Sequence, residues 1–158
     1  MLFWFIGTAV LTVWYVFRDP RFDYRLLVVG AVLPEIDIVT GGMWLLHTLV
    51  FSVGLLVVVM LATSGRKPIR RLLLGLPIGT LLHLVFDGAW ATTDVFWWPL
   101  GGTDFDGFDL PSVQRGPLNI VFELAGLALV VWIWKRSGLS DPARRRQFRA
   151  TGQLFAAA

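Results

Sequence analysis

The sequence predicts an all-α protein, a polytopic transmembrane helical bundle of about five spans, one of them short and broken by proline. Three observations lead there. Of the 158 residues, 56% are hydrophobic and only 16% are charged, against about 25% charged in an average soluble domain. Four runs of 16 to 21 residues carry almost no charge, close to the length that crosses a hydrocarbon core of about 30 Å. The basic residues, finally, collect in alternate connections between those runs. A soluble domain of about 150 residues still exposes roughly 30% of its extended-chain surface, too much for a chain with a mean hydropathy of +0.67. A soluble globular enzyme is therefore excluded. The chain has no cysteine, which excludes a disulfide scaffold, a cysteine-ligated zinc ribbon and a thiol nucleophile.

The elements follow in order. Leu2 to Phe17 has no charge. Leu26 to Leu33 is apolar but too short to span, and it meets Pro34-Glu35-Ile36-Asp37. Extended through Val39 it becomes a proline-broken helix, which a bilayer tolerates only where neighbours or water satisfy the backbone. Met43 to Thr63 holds His47 as its one ionisable group, Leu72 to Trp90 holds His83 and Asp87, and Leu118 to Trp134 holds Glu123. Residues 1–134 form the membrane domain on this reading. Residues 135–158 form a basic cytosolic tail, expected to be disordered after Arg149. No internal repeat is present, and nothing in the sequence speaks to oligomeric state.

Charge sets the orientation, because lysine and arginine favour the cytoplasmic side. With five crossings, every one of the 14 basic residues except Arg115 falls on one side. The N-terminus is then outside and the C-terminus in the cytosol. No basic segment precedes the first span and no small-x-small site follows it, so a cleaved signal peptide is not expected. Of the 11 acids, only Asp19, Asp23 and Asp141 lie with the basic loops. The other acids and both histidines sort to the outer side. The Arg144–Arg146 cluster is expected to hold the tail against anionic inner-leaflet lipid, at about 1 kcal/mol per basic residue. One short basic patch is too little for a nucleic-acid partner.

The chemistry-bearing residues share a layer. His83 and Asp87, four apart, lie on one helix face, and Gly75 and Gly79 continue that face as a stripe of small residues that admits a close neighbour. At about 1.5 Å per residue, Asp87, His47, Glu123 and His83 sit roughly 4 to 10 Å below the outer ends of their spans, beside Glu35 and Asp37. Buried carboxylates without a cationic partner protonate or bind a cation. Imidazole with carboxylate suits zinc, manganese or iron, whereas calcium and magnesium prefer oxygen alone. Taken singly, each residue also has a plainer reading. His83 and Asp87 form an interhelical hydrogen bond, His47 bonds a carbonyl, Glu35 and Asp37 form an acidic turn, and Glu123 bonds Asn119 or Arg115.

Other features carry less. Asp104-Phe-Asp106-Gly107-Phe-Asp109 lacks the glycine and glutamate of a calcium loop and reads as an outer turn. Phe96-Trp97-Trp98-Pro99 reads as an aromatic belt at headgroup level. Ser52 and Thr48 have no base at nucleophile spacing, and no Walker or dinucleotide fingerprint occurs.

Leu33-Pro34-Glu35-Ile36-Asp37, His47-Thr48-Leu49, and Leu82-His83-Leu84-Val85-Phe86-Asp87 ahead of Trp97-Trp98-Pro99 resemble, in order and spacing over about residues 24 to 100, the YdjM-like family. That family is one of inner-membrane, metal-dependent hydrolases, some described as LexA-binding. The resemblance implies a bacterial plasma-membrane location and puts Glu35, Asp37, His47, His83 and Asp87 on the family's metal-ligand positions. Glu35 stands where the family has aspartate, Ile38 where histidine is common, and Thr48 in place of serine. The early histidine of the family's first helix has no counterpart here.

Together these readings give a membrane metallohydrolase whose divalent ion (zinc, manganese or iron) is held by Asp37, His47, His83 and Asp87. Glu35 is the general base and Glu123 tunes the site from a neighbouring helix. The ion lowers the pKa of a bound water, and a lipid-linked ester or phosphoester is the substrate. The alternative is a non-enzymatic cation- or lipid-binding membrane protein, a small transporter or a scaffold subunit.

Overall fold

A computed structural model describes residues 1–91, 93–104 and 109–155. The described chain is all-helical, in agreement with the predicted class. Its helices are α1 (Leu2–Phe17), α2 (Tyr24–Val32), α3 (Leu49–Ala62), α4 (Lys67–Leu73), α5 (Gly75–Asp87), α6 (Thr93–Phe96), α7 (Pro111–Gln114), α8 (Leu118–Arg136) and α9 (Pro142–Thr151). Three 3₁₀ segments, Leu33–Thr40, Leu45–His47 and Ala89–Ala91, connect them. The Asp104–Asp109 turn falls largely on residues 105–108, outside the described residues.

Of the five expected spans, two have both the length and the apolarity to cross a membrane: α4 with α5, Lys67–Asp87, at 21 residues, and α8 at 19 residues. α1 and α3 are also apolar but shorter. The expected proline break is present. α2 stops at Val32 and the chain continues as 3₁₀ from Leu33 with Pro34 in its first turn, ending at Gly41 with φ +92°. The α4–α5 junction has a similar cause. Pro77 has no N–H to give to Leu73, and its ring crowds that carbonyl, so α4 ends there and α5 restarts at Gly75. Several hydroxyls in or at the ends of the apolar helices are satisfied locally: Thr8, Thr63 and Ser137 donate to the carbonyls of Trp4, Val59 and Ile133 at 2.6 to 2.7 Å.

Small residues set the helix spacing. α2 packs along α5 through Gly30, Gly75 and Gly79. A Cβ on Gly30 would strike the Leu76 carbonyl, and one on Gly79 the backbone of Leu27 and Ala31. The predicted glycine stripe is thus the face on which α5 meets α2. α1 packs on α8 in the same way, with Gly126 against the backbone of Phe3 and Trp4. The main core joins Phe5, Val10 and Val13 of α1 to Leu27 and Ala31 of α2. The outward faces are apolar as well: Leu61 of α3, Val85 of α5, and Ile120, Val121 and Leu124 of α8 are exposed. Isolated exposed apolar residues are ordinary, whereas contiguous apolar faces mark a surface that meets a membrane or another protein.

Contacts between distant residues sort to two ends of the bundle. At one end the Met1 amino group meets Glu35, Trp4 Nε1 donates to the Phe86 carbonyl, and Arg115 meets Asp87. At the other, Tyr24 N donates to the Gly152 carbonyl at 2.9 Å and Arg25 to the Arg149 carbonyl at 2.8 Å. For residues 150–155 this second end corrects the expectation of disorder after Arg149; residues 156–158 lie outside the described residues. α9 runs to Thr151 and caps at Gly152 (φ +72°) beside the Asp23 carboxylate, and Leu154 and Phe155 are buried in the main core. Two apolar side chains at the end of a polar helix anchor it, and a composition-based reading of the arginine run does not register them.

Candidate metal centre

His47 lies at the end of a 3₁₀ turn ahead of α3, and the sequence fixes it there from both sides. Thr48 caps α3, its Oγ1 accepting from Phe51 N at 3.0 Å and donating to the Leu45 carbonyl at 2.8 Å. Asp37, from the 3₁₀ segment after α2, sends Oδ2 to Trp44 N at 3.1 Å and to His47 Nδ1 at 2.8 Å. A carboxylate only accepts here, so Nδ1 carries a proton and Nε2 is the nitrogen turned towards Asp87.

His83, one turn before the end of α5, repeats the arrangement with a different acceptor. Its Nδ1 lies 2.8 Å from the Ala31 carbonyl, which likewise leaves Nε2 as the basic nitrogen. The Phe5 ring of α1 packs on the imidazole with centroids 3.9 Å apart. The two histidine rings stand 5.4 Å apart and nearly perpendicular.

Asp87 completes the group from the last turn of α5. Its Oδ2 faces His47 Nε2 at 3.8 Å, and its Oδ1 accepts from Arg115 Nη2. His47, His83 and Asp87 each offer one donor atom within 4.8 Å of the other two, and all three are buried. Two ligands of a tetrahedral zinc with bonds of about 2.0–2.1 Å are roughly 3.4 Å apart, so the donors need to contract by about 1.5 Å at most. The donor set fits: two imidazole nitrogens with their far nitrogens already engaged, plus a carboxylate, leaving room for water as a fourth ligand. Two helical elements supply them, the 3₁₀ turn ending at His47 and the last two turns of α5, separate in sequence.

Three sequence expectations change. Asp37 is not among the mutually close donor atoms; it stands behind His47 and orients it, because the ten-residue 3₁₀ and turn connection wraps its carboxylate onto Nδ1. Glu35, the expected general base, pairs with the Met1 amino group at 3.0 Å. It projects from the same 3₁₀ segment two residues earlier and thus in another direction. Glu123, expected to tune the site, accepts from Phe3 N at 3.1 Å and Trp4 N at 3.3 Å. α1 has no acid in its first turn and no side-chain cap, so its unpaired amides take their acceptor from α8. That missing cap was the available signal. Arg115, which the sequence marks as the lone basic residue among acids and as a possible partner of Glu123, bonds Asp87 instead.

Ser52 is buried with its Oγ unpartnered, and it borders an apolar cavity of about 50 Å³ between α3 and α5, lined also by Leu56, Pro77 and Leu81. No histidine or carboxylate lines that cavity. No protein-family model matches the chain, and no curated protein and no solved structure is found similar to it.

Proposed function

We propose that this chain is a polytopic protein of the bacterial plasma membrane, related to the YdjM-like family, that acts as a metal-dependent hydrolase on a lipid-linked ester or phosphoester. A divalent ion is held by His47, His83 and Asp87, with Asp37 orienting His47. The single observation that carries this reading is the pairing of each histidine Nδ1 with an acceptor while donor atoms of His47, His83 and Asp87 converge. Metal-ligating histidines have this carboxylate or carbonyl partner on the far nitrogen, which fixes the ring and raises its basicity. The bound ion supplies a water of lowered pKa and polarises the scissile group.

The sorting of contacts to two ends supports five crossings, with the broken α2 segment as one. The basic loops then lie in the cytosol, the metal group near the outer leaflet, and α9 on the anionic inner leaflet. Metal analysis of the detergent-purified protein tests the reading. About one zinc, manganese or iron per chain is expected, lost in His83→Ala and in Asp87→Ala while both variants still insert. Unchanged metal content in those variants overturns it.

One observation favours a second reading, a non-enzymatic membrane scaffold or cation binder. His47, His83 and Asp87 are nearly wholly buried, and each already has a protein partner. Polar side chains bonded between helices hold membrane bundles together at about 0.6–2 kcal/mol each. On that reading the chain binds no metal in stoichiometric amount, and chelation leaves its thermal stability unchanged.

A further inference from the structure

Arg115 sits between α7 and α8 at the end of the bundle that carries the His47–His83–Asp87 group. Three contacts hold its guanidinium in place: Nε donates to the Pro111 carbonyl at 3.1 Å, Nη2 donates to Asp87 Oδ1, and the Phe122 ring lies 5.7 Å beneath. Its side chain is 20% exposed, whereas that of Asp87 is 1% exposed. Among the described residues Nη1 has no hydrogen-bond partner, and no other arginine or lysine side chain belongs to this end of the bundle. Asp87 divides its two oxygens, Oδ1 to the arginine and Oδ2 to the His47 side. Asp87 thus stands between the guanidinium and the His47 side, and an ion held on Oδ2 would lie one carboxylate width from Arg115.

We propose that Arg115 is the anion-binding residue of this site and that its ligand is a phosphate group, carried by a phosphoester. A carboxylic ester presents one neutral carbonyl, which a metal ion alone polarises. A phosphoester presents at least two anionic oxygens, and the pairing of a planar guanidinium with a divalent ion matches them. Such pairs of fixed cations are the usual clamp on a phosphoryl group. The surrounding acids would otherwise repel the substrate. The inference deepens the hydrolase reading and rests on it for the bond that is broken.

Binding to the full-length protein in detergent tests it, with inorganic phosphate and dihexanoyl phosphatidate as probes, each with zinc and with EDTA. Phosphate is expected to slow phenylglyoxal modification of Arg115, mapped by mass spectrometry, and not that of Arg144. Arg115→Gln is expected to weaken phosphate binding at least 10-fold while keeping its metal content, and Arg115→Lys to recover part of the loss. Should Arg115→Gln fail to fold, the protection measurement on the unaltered chain decides. Phosphatidate binding at least 10-fold tighter than phosphate marks a lipid headgroup as the source, and equal affinities mark a free phosphate or soluble phosphoester. Equal phosphate affinity in the unaltered chain and Arg115→Gln, or no phosphate binding by the unaltered chain, overturns the inference. A chain that binds no metal but shows Arg115-dependent phosphate binding in EDTA overturns the hydrolase reading and leaves the anion site standing.

Discussion

Oδ2 of Asp37 lies 2.8 Å from Nδ1 of His47, and both side chains are almost wholly buried. The same oxygen accepts from Trp44 N, so the carboxylate fixes the imidazole and the turn that carries it in one arrangement. Partners of this kind tune a metal ligand without touching the ion. Asp37→Ala is expected to keep one bound metal per chain but to weaken its affinity about 10–100-fold, read by competition with a chelating dye. Complete loss of metal would make Asp37 a direct ligand instead.

Glu123 is tied to α1 by two backbone amides, Phe3 N shared between its two oxygens and Trp4 N on one of them. Losing a helix N-cap costs about 0.5–2 kcal/mol. Glu123→Ala is expected to lower the thermal unfolding midpoint in detergent and to leave metal stoichiometry as it was. Metal loss at unchanged stability would return Glu123 to the site.

The contact between α2 and α5 depends on backbone meeting backbone. A side chain at Gly79 would meet the Leu27 carbonyl, the Ala31 nitrogen and the Gly30 backbone, none of which can swing aside. Overpacking of that kind costs typically 1–3 kcal/mol, on the order of a tenfold or greater change in folded population. Gly54 in α3, by contrast, has nothing within 4 Å of a new Cβ, and alanine is favoured over glycine inside a helix by about 0.5–1 kcal/mol. Gly79→Val should therefore unfold at a lower temperature than the parent and lose metal, because His83 rides on the same face. Gly54→Ala should match or exceed the parent.

The absence of cysteine makes the orientation directly measurable. Single cysteines at Gly101 and at Arg66, both exposed positions, report which side each occupies. In intact cells a membrane-impermeant maleimide is expected to label Gly101→Cys and not Arg66→Cys. The reverse pattern inverts the protein and moves the metal group to the cytosolic leaflet.

Much of the site's membership was legible because it depends on local spacing. His83 and Asp87 share a face through the 3.6-residue repeat, and the glycines below them mark where that face is buried. The sequence places Asp37 with the metal ligands because spacing along a chain says that two groups are near each other but not which lies behind which. Its carboxylate and His47 are ten residues apart across a turn, and the turn's path decides. Glu35, two residues from Asp37, was grouped with it by the same logic. The 3₁₀ segment turns it instead to the Met1 amino group. The tail differs from its composition for another reason: four arginines outweigh Leu154 and Phe155 in any average, yet those two side chains reach the core.

By itself the sequence determined the helical class, the positions of the apolar runs, the proline break and the separation of basic from acidic connections. Each of these follows from short stretches of chain, from side-chain hydropathy, helical repeat and the missing amide hydrogen of proline. Tertiary structure alone decided that Glu123 caps α1, 120 residues away, and that Arg115 reaches Asp87 across 28 residues. Such bonds form only after glycine faces bring the helices together, because it is backbone approach, not residue type, that sets which side chains come within reach.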